Sequence, residues 1–354
     1  MQRIRRAKRT MWRIVLRRAG SWVAGTATIA ALAIGTGKVV RPDSVSAASA
    51  YTLTPVEYGM QLKTPDGRIV FEYLTKKPEN IGLTSPSAAC FSPVNTPSGE
   101  RVTSIAPDDH PHHRGIFFGW QVGAFYETSS HPNNSPTAPL RSATVRWADF
   151  WGWGVFAPRD GRVIQNRDIN LVSADANHAD LSIHNDLLVE NRKMGEENDT
   201  VTVTERDGVF VLDLAYTIAP TYVYELNRTA FGGFVVQSRK DGEWRYSTAA
   251  GKVTLHDPQY AYPELDWPTE PWYDYTITLT GNGKTVGAAV IDHPKNPPTL
   301  WHNTVWMLNP AITAVGPVTI RPENPLTLRY RVVVHDGPPP LDVLQKLSTE
   351  WRSL

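Results

Sequence analysis

The chain has 354 residues, with 41% hydrophobic and 20% charged residues, a composition that excludes disordered and collagen-like polymers. Twelve Trp, thirteen Tyr and ten Phe make it aromatic-rich, and 28 Pro break any long helical pattern, which argues against a helical bundle. The net charge of +1 hides an uneven split: residues 1–50 hold ten Lys/Arg and one acid, leaving 26 bases against 34 acids in the rest. A chain with that balance is no reader of nucleic acid.

Along the chain, the first fifty residues come in the order of a secretory signal. A cationic run to Arg18 leads into an apolar stretch from Trp22 to Gly37 and then small residues ending Ala48-Ser49-Ala50. The apolar stretch is shorter than the about 20 residues of a spanning helix. The expectation is a signal peptide over 1–50, an exported mature chain of one β-sandwich domain over 51–354, and no membrane span in it; an uncleaved N-terminal anchor is the alternative. Cys90 is the single cysteine, so no intramolecular disulfide forms, and a buried, inert thiol is expected.

From residue 52 the pattern changes to short alternating or β-branched runs. They are Thr52 to Tyr58, Arg68 to Leu74, Ile116 to Val122, Arg162 to Ile169, Leu181 to Glu190, Thr200 to Thr204, Val209 to Ile218, Phe234 to Ser238, Tyr275 to Leu279, Val286 to Ile291, Val305 to Leu308 and Leu326 to His335. Turn signals such as Pro65-Asp66-Gly67, Asp207-Gly208 and Gly281-Asn282-Gly283 separate them. This predicts an all-β protein, a large antiparallel β-sandwich of two face-packed sheets. Two irregular stretches, Ser129 to Arg141 and His256 to Trp272, read as long loops on that scaffold. After Pro338-Pro339-Pro340, the residues Leu341, Leu344, Leu347 and Trp351 recur at three- and four-residue spacing, which predicts a short C-terminal helix with one apolar stripe packed on a sheet.

The densest chemistry is Asp108-Asp109-His110-Pro111-His112-His113-Arg114-Gly115, just before an apolar strand. Pro111 restricts His110 toward extended geometry, and in an extended chain alternate residues share a face. His110, His112 and Arg114 are then expected together, with His113 opposite. Such a face fits three roles: hydrogen bonding to a polyhydroxylated or carboxylated ligand, proton transfer near neutral pH, or metal ligation by the His-x-His pair. A second segment, Asp292-His293-Pro294, followed by Trp301-His302-Asn303, repeats the Asp-His-Pro core. Either the two segments converge on one site, or each Asp simply caps a turn. Trp120, Trp151 and Trp301 flank these segments as candidates to stack on a sugar ring, although most aromatics of a sheet are core.

At DHPHHRGIFFGW (109–120), DFWG (149–152), FGGF (231–234), GAAVIDHPKNP (287–297), WHN (301–303) and LRYRVVVHDG (328–337) the chain resembles a mainly bacterial family labelled methane oxygenase PmoA-like. The resemblance implies a β-supersandwich of the galactose-mutarotase-like kind, in which His and carboxylate residues handle sugars. It carries His110, His112, His113, Arg114, Asp292, His293 and His302 over as site residues, and Arg228-Thr229-Ala230 stand where the family often has a Glu before its Gly-Gly-Phe stretch. A membrane methane oxygenase needs several spanning helices, and beyond residue 50 no apolar segment is long enough. The expected function is therefore an exported carbohydrate-active protein using His-based acid–base chemistry on a glycoside or sugar derivative. His110 and His112 are the proton-transfer candidates, Arg114 steadies an oxyanion, and Trp120, Trp151, Trp301 and Asn303 contact the ligand. No cofactor is required. The alternatives are a non-catalytic carbohydrate-binding or cell-envelope module, and a metal enzyme in which His110 and His112 join His293 or His302 around Zn, Cu or Fe.

Overall fold

A computed structural model describes residues 49–126, 143–254, 267–304 and 306–354, with the side chains of 143–146 excepted. The export-signal expectation up to residue 48, the 129–141 loop, the 256–272 loop up to residue 266, and Val305 lie outside the described residues. The regular structure of the described part is antiparallel strand apart from one helix, as the alternation predicted.

Two large sheets dominate. The first runs in the order Thr52–Val56, Gly59–Lys63, Ile69–Leu74, Cys90–Val94, Ile116–Gly119, Gly233–Gln237, Pro310–Ala311 and Leu300–Trp301, with Met307–Leu308 also paired to Gly233–Gln237. The second runs Gly251–Val253, Gly242–Thr248, Trp272–Leu279, Thr285–Asp292, Leu326–Asp336, Val209–Pro220, Arg192–Arg206, His178–Val189 and Arg162–Ala174. A smaller sheet joins Val318–Ile320, Val223–Leu226, Gly123–Tyr126 and Ala143–Ala148. Several runs read as single short strands are longer or paired. Thr200 to Thr204 is the middle of the 15-residue strand Arg192–Arg206, and Thr52 to Tyr58 opens a hairpin whose register is Thr52↔Lys63.

Period-two alternation sorts the side chains into layers. Ile116, Phe118, Phe234 and Val236 of the first sheet face Leu212, Leu214, Tyr330 and Val332 of the second across the main core. Phe117 and Val235 point the other way, where they pack with Cys90, Trp151 and Met307 on the outer face of the first sheet. Burial pushes the Cys90 thiol up to about 12, so it stays protonated and unreactive. We expect iodoacetamide to leave Cys90 unmodified in the folded protein and to label it in urea, read by mass spectrometry; equal labelling in both states would refute this.

The outer face of the second sheet is covered by the helix Leu341–Arg352. Leu344, Leu347 and Trp351 pack there against Val209, Val211, Trp272, Ala289, Ile291 and Val333, and burial of one such side chain is worth about 1.5–3 kcal/mol. Leu341, expected on the same stripe, is the first helical residue after the prolines and is exposed, outside the cluster that holds the other three. Asp342 in the first turn and Arg352 in the last suit the helix dipole.

A fully buried polar pair crosses the second sheet, with His335 Nε2 2.9 Å from Asp274 Oδ2. The strand between them carries Gly287, where an added Cβ would sit 2.4 Å from His335 Nε2, so only glycine leaves room for the imidazole.

Candidate functional site: a histidine pocket on the first sheet

The histidine segment folds as turns and not as an extended strand. His110 N donates to Pro107 O at 2.9 Å, and His113 N donates to His110 O at 3.0 Å. Because the second bond folds the chain back on itself, neighbouring side chains converge where extended backbone would have separated them. His110, His112 and His113 therefore line one pocket together, with ring centroids 5.7, 4.9 and 4.6 Å apart. This corrects the expected face, from which His113 was excluded and in which Arg114 was included.

Arg114 is fully buried behind the pocket. Its Nη1 donates to Trp151 O at 2.6 Å and Ser85 Oγ at 3.2 Å, its Nη2 donates to Phe150 O at 3.2 Å, and its guanidinium lies 4.4 Å from the Phe117 ring centroid. Extended backbone resumes at Arg114, which bridges to Ile105, and alternation then turns its side chain away from the pocket. It is a structural tie and is not presented to an oxyanion.

The opposite wall is the segment Asp149-Phe150-Trp151-Gly152-Trp153-Gly154. The buried Asp149 carboxylate accepts from the backbone N–H of Trp151 at 2.8 Å, Gly152 at 2.7 Å and Gly154 at 2.6 Å. Burial pushes its pKa up, while those three bonds pull it down. Gly152 has φ +101°, and an added Cβ would meet Ser85 Cβ at 2.4 Å. The turn holds Trp151 beside His113 at 5.6 Å and stacks Trp153 on His112 at 5.4 Å.

The resulting pocket, of about 340 Å³, is lined by His110, His112, His113, Gln121, Trp151, Trp153, Phe156, Phe231, Thr304 and Met307. None of these is a carboxylate. Desolvation, reinforced by His110, Arg114 and Arg159, lowers His112 to about 3, and burial drives His113 well below the usual imidazole range. Both rings are neutral at pH 7, each with one donor and one acceptor nitrogen. His110 stands nearer solvent, with Nδ1 3.5 Å from Asp109 Oδ2, and Asp109 pairs with Lys240 at 2.7 Å. Gln121 Nε2 and Trp151 Nε1 are buried donors with no partner among the described residues.

The second Asp-His-Pro segment lies elsewhere. Asp292 accepts from Asn296 Nδ2 at 2.7 Å and Thr299 Oγ1 at 2.9 Å, and burial pushes it up to about 6. It caps its own turn. His293 sits beside the C-terminal helix, 5.2 Å from the Trp351 ring, in a separate pocket of about 290 Å³ that also contains Lys295 and Arg329. The two segments thus belong to different sheets and open on opposite outer faces, which corrects the expected convergence. Only the following residues reach the first pocket. Thr304 lines it, and His302, lowered to about 4 by burial, packs edge-on behind Phe231 at 4.4 Å. Asn303 is buried and accepts from Asn309 N at 2.9 Å.

Of the three expected stacking tryptophans, only Trp151 lines the pocket. Trp120 is in the main core against Phe118 and Phe150 and bonds to Tyr224. Trp301 is also in that core, held by Glu270 O at 2.8 Å. Gln121, Trp153, Phe156, Phe231, Thr304 and Met307 escaped the sequence reading as site residues. Gln121 had one usable signal, as the first uncharged polar residue after an apolar run. Among the described residues no group of three His, Cys, Asp or Glu side chains is placed to hold a metal ion, and no helix is long and apolar enough to cross a membrane.

Residues 63–349 match the sequence profile of DUF6807, described as a family of unknown function. The chain belongs to that family. The methane oxygenase PmoA-like family of the motif resemblance is not the one this match shows. No curated protein matches the DUF6807 chain. Among solved structures it is similar to a galactose mutarotase related enzyme from Lactobacillus acidophilus, at 7% identity and TM-score 0.32, over 80% of this chain and 97% of that one. It is also similar to a TPR-domain containing protein from Parabacteroides distasonis, at 9% identity and TM-score 0.27, over 81% of this chain and 47% of that one. Both likenesses are too distant to carry an argument about function.

Proposed function

We propose that the histidine pocket binds a carbohydrate or sugar-derived small molecule and that His110 and His112 exchange protons with it. The observation that carries this reading is the facing of three imidazoles by an aromatic wall across one cavity. A pyranose has apolar C–H faces and a polar rim. Trp153, Phe156 and Phe231 suit the first, while the imidazoles, Gln121 and Thr304 suit the second. Acid–base chemistry on such a ligand needs a group to take a proton and another to give one. Neutral His112 is the proposed proton acceptor, and His110, nearer the mouth and 3.5 Å from Asp109, is the proposed donor. A glycosidase with two flanking carboxylates is not what this lining supports, since no described lining residue is a carboxylate. The same reading takes the chain to be exported, on the pattern of residues 1–50.

Calorimetric titration against a panel of mono- and oligosaccharides tests it. His112→Ala and Trp153→Ala should each weaken binding of the responding sugar about tenfold or more, the scale of a lost buried hydrogen bond or ring contact. Unchanged affinity in both variants would defeat the assignment. A second reading, a non-catalytic binding module, draws support from the depressed pKa of His112, which makes it a poor proton donor at pH 7. Binding without any chemical change of the sugar would select it.

A further inference from the structure

We propose that Gln237 is a positioning residue that fixes His113 as the Nδ1-protonated imidazole, so that His113 Nε2 is the pocket's acceptor for a hydroxyl of the bound ligand. This deepens the carbohydrate reading of the same pocket and rests on it for the identity of the ligand.

Gln237 ends the strand Gly233–Gln237 and is fully buried. Antiparallel pairing of that strand with Ile116–Gly119 brings it beside the histidine turn, where Gln237 N donates to Gly115 O at 2.8 Å and Gln237 O accepts from Ser104 N at 2.9 Å. Its side-chain Nε2 donates to Ser238 O at 3.1 Å. The reversed amide would set its oxygen against that carbonyl, two acceptors facing each other with no proton between them. The orientation is therefore settled, and Gln237 Oε1 faces His113 Nδ1 at 2.5 Å. An amide oxygen only accepts, so the proton lies on Nδ1. A second proton on Nε2 would create a buried cation beside His110, His112 and Arg114, and no described lining residue is a carboxylate to offset it. Nε2 thus keeps its lone pair.

The neighbouring groups add donors. Thr229 Oγ1 donates to Gln121 Oε1 at 2.7 Å, and Gln121 Nε2 is left as a donor with no partner among the described residues. Trp151 Nε1 is another such donor, and an indole N–H can only give. Beside the His110 and His112 rings and the Thr304 hydroxyl, the pocket therefore presents an indole donor, an amide donor and, at His113 Nε2, a fixed acceptor. A hydroxylated ligand meets it, because each hydroxyl both gives and accepts; an ether or carbonyl oxygen has nothing to give to His113 Nε2.

Long-range 1H–15N correlation on the full chain labelled with 15N-histidine reads the tautomer directly, with His113 assigned by its loss in His113→Asn. The expected spectrum shows a protonated Nδ1 and a bare Nε2 in the wild type and in Gln237→Glu, whose carboxylate oxygen also accepts, and a tautomer mixture in Gln237→Leu. A wild-type spectrum with the proton on Nε2 overturns the proposal, and this holds even if Gln237→Leu fails to fold. With the sugar that responds in titration, Gln237→Leu should bind about tenfold more weakly and Gln237→Glu within about threefold of wild type, because only the first removes the orienting acceptor. Equal weakening in both variants would mark Gln237 as a packing residue and would also overturn it. If no sugar binds the wild type, the ligand reading fails while the spectrum still decides the tautomer.

Discussion

Asp149→Ala is expected to destabilise the folded protein by about 3 kcal/mol or more and to abolish ligand binding at the histidine pocket. The carboxylate is buried and is the acceptor for three backbone N–H groups, those of Trp151, Gly152 and Gly154. Alanine leaves the buried Trp151 and Gly152 donors without their partner and releases the Gly154 donor at the exposed end of the turn, and each orphaned buried donor costs about 1–3 kcal/mol. A partial offset comes from removing a carboxylate whose own burial is unfavourable, as its raised pKa shows. The net loss remains large because the turn has no other acceptor for those groups. Binding fails for a separate reason, since the same turn sets Trp151 beside His113 and Trp153 on His112. Asp149→Asn should fall between, because its amide keeps one acceptor oxygen. Urea midpoints at constant m-value give the stability, and titration with the responding sugar gives the affinity. An Asp149→Ala protein that unfolds at the wild-type midpoint would contradict the role assigned to this carboxylate.

Glu197→Gln is expected to gain stability relative to wild type as pH rises from about 4.5 to 8, by more than about 1.4 kcal/mol at the upper end, which is the worth of one pKa unit. Glu197 and Asp199 are buried between the sheets, with Asn185 Nδ2 donating to Glu197 Oε1 at 3.0 Å. Among the described residues, Glu197 Oε2, both Asp199 carboxylate oxygens and the Tyr216 hydroxyl have no hydrogen-bond partner. Desolvation raises both acids, and the negative charge of Glu197 raises Asp199 further. With folded-state pKa values above the unfolded ones, the native chain keeps protons that the unfolded chain has already lost. Stability then falls as pH rises through that interval. Gln mimics the protonated acid and removes the share of the slope that Glu197 supplies, directly and through its charge on Asp199. Below the ordinary glutamate pKa, both states of the wild type are protonated and the variant should match it. His112 and His302, lowered by burial to about 3 and about 4, act in the opposite sense, favouring the fold as pH rises toward neutrality. Their contribution is common to both proteins and cancels in the comparison. Denaturation curves at pH 5 and 8 decide it, and a stability difference that does not change with pH would remove the claim.

Strand content and the terminal helix were legible because both follow from periodicity. Val201 and Val203 alternate with polar neighbours, and Leu344, Leu347 and Trp351 recur at helical spacing. Strand ends were less so, since the polar residues that open Arg192–Arg206 carry no signal that ladder pairing will extend through them. The histidine cluster was visible as chemistry but not as geometry. Pro111 restricts His110 alone, and nothing local announces the bond from His113 N to His110 O that turns the chain. Trp120 and Trp301 show a different limit. In a sandwich both sheet faces are covered, one by the partner sheet and one by loops or a helix, so an aromatic beside a motif is as apt to point into the core as into the pocket. The echo between Asp109-His110-Pro111 and Asp292-His293-Pro294 reflects a shared His-Pro turn, closed by His113 N to His110 O in one and Asn296 N to His293 O in the other, and does not place them on a shared surface.

The Arg114 guanidinium reaches from the end of the histidine turn to the carbonyls of Phe150 and Trp151 in the tryptophan turn. Parting the two would strand a desolvated cation and uncover two buried carbonyls at once, so the walls of the pocket are riveted into one piece. A ligand of the proposed kind would meet a preformed cup there, one that selects by shape and hydrogen-bond sense instead of drawing two jaws shut.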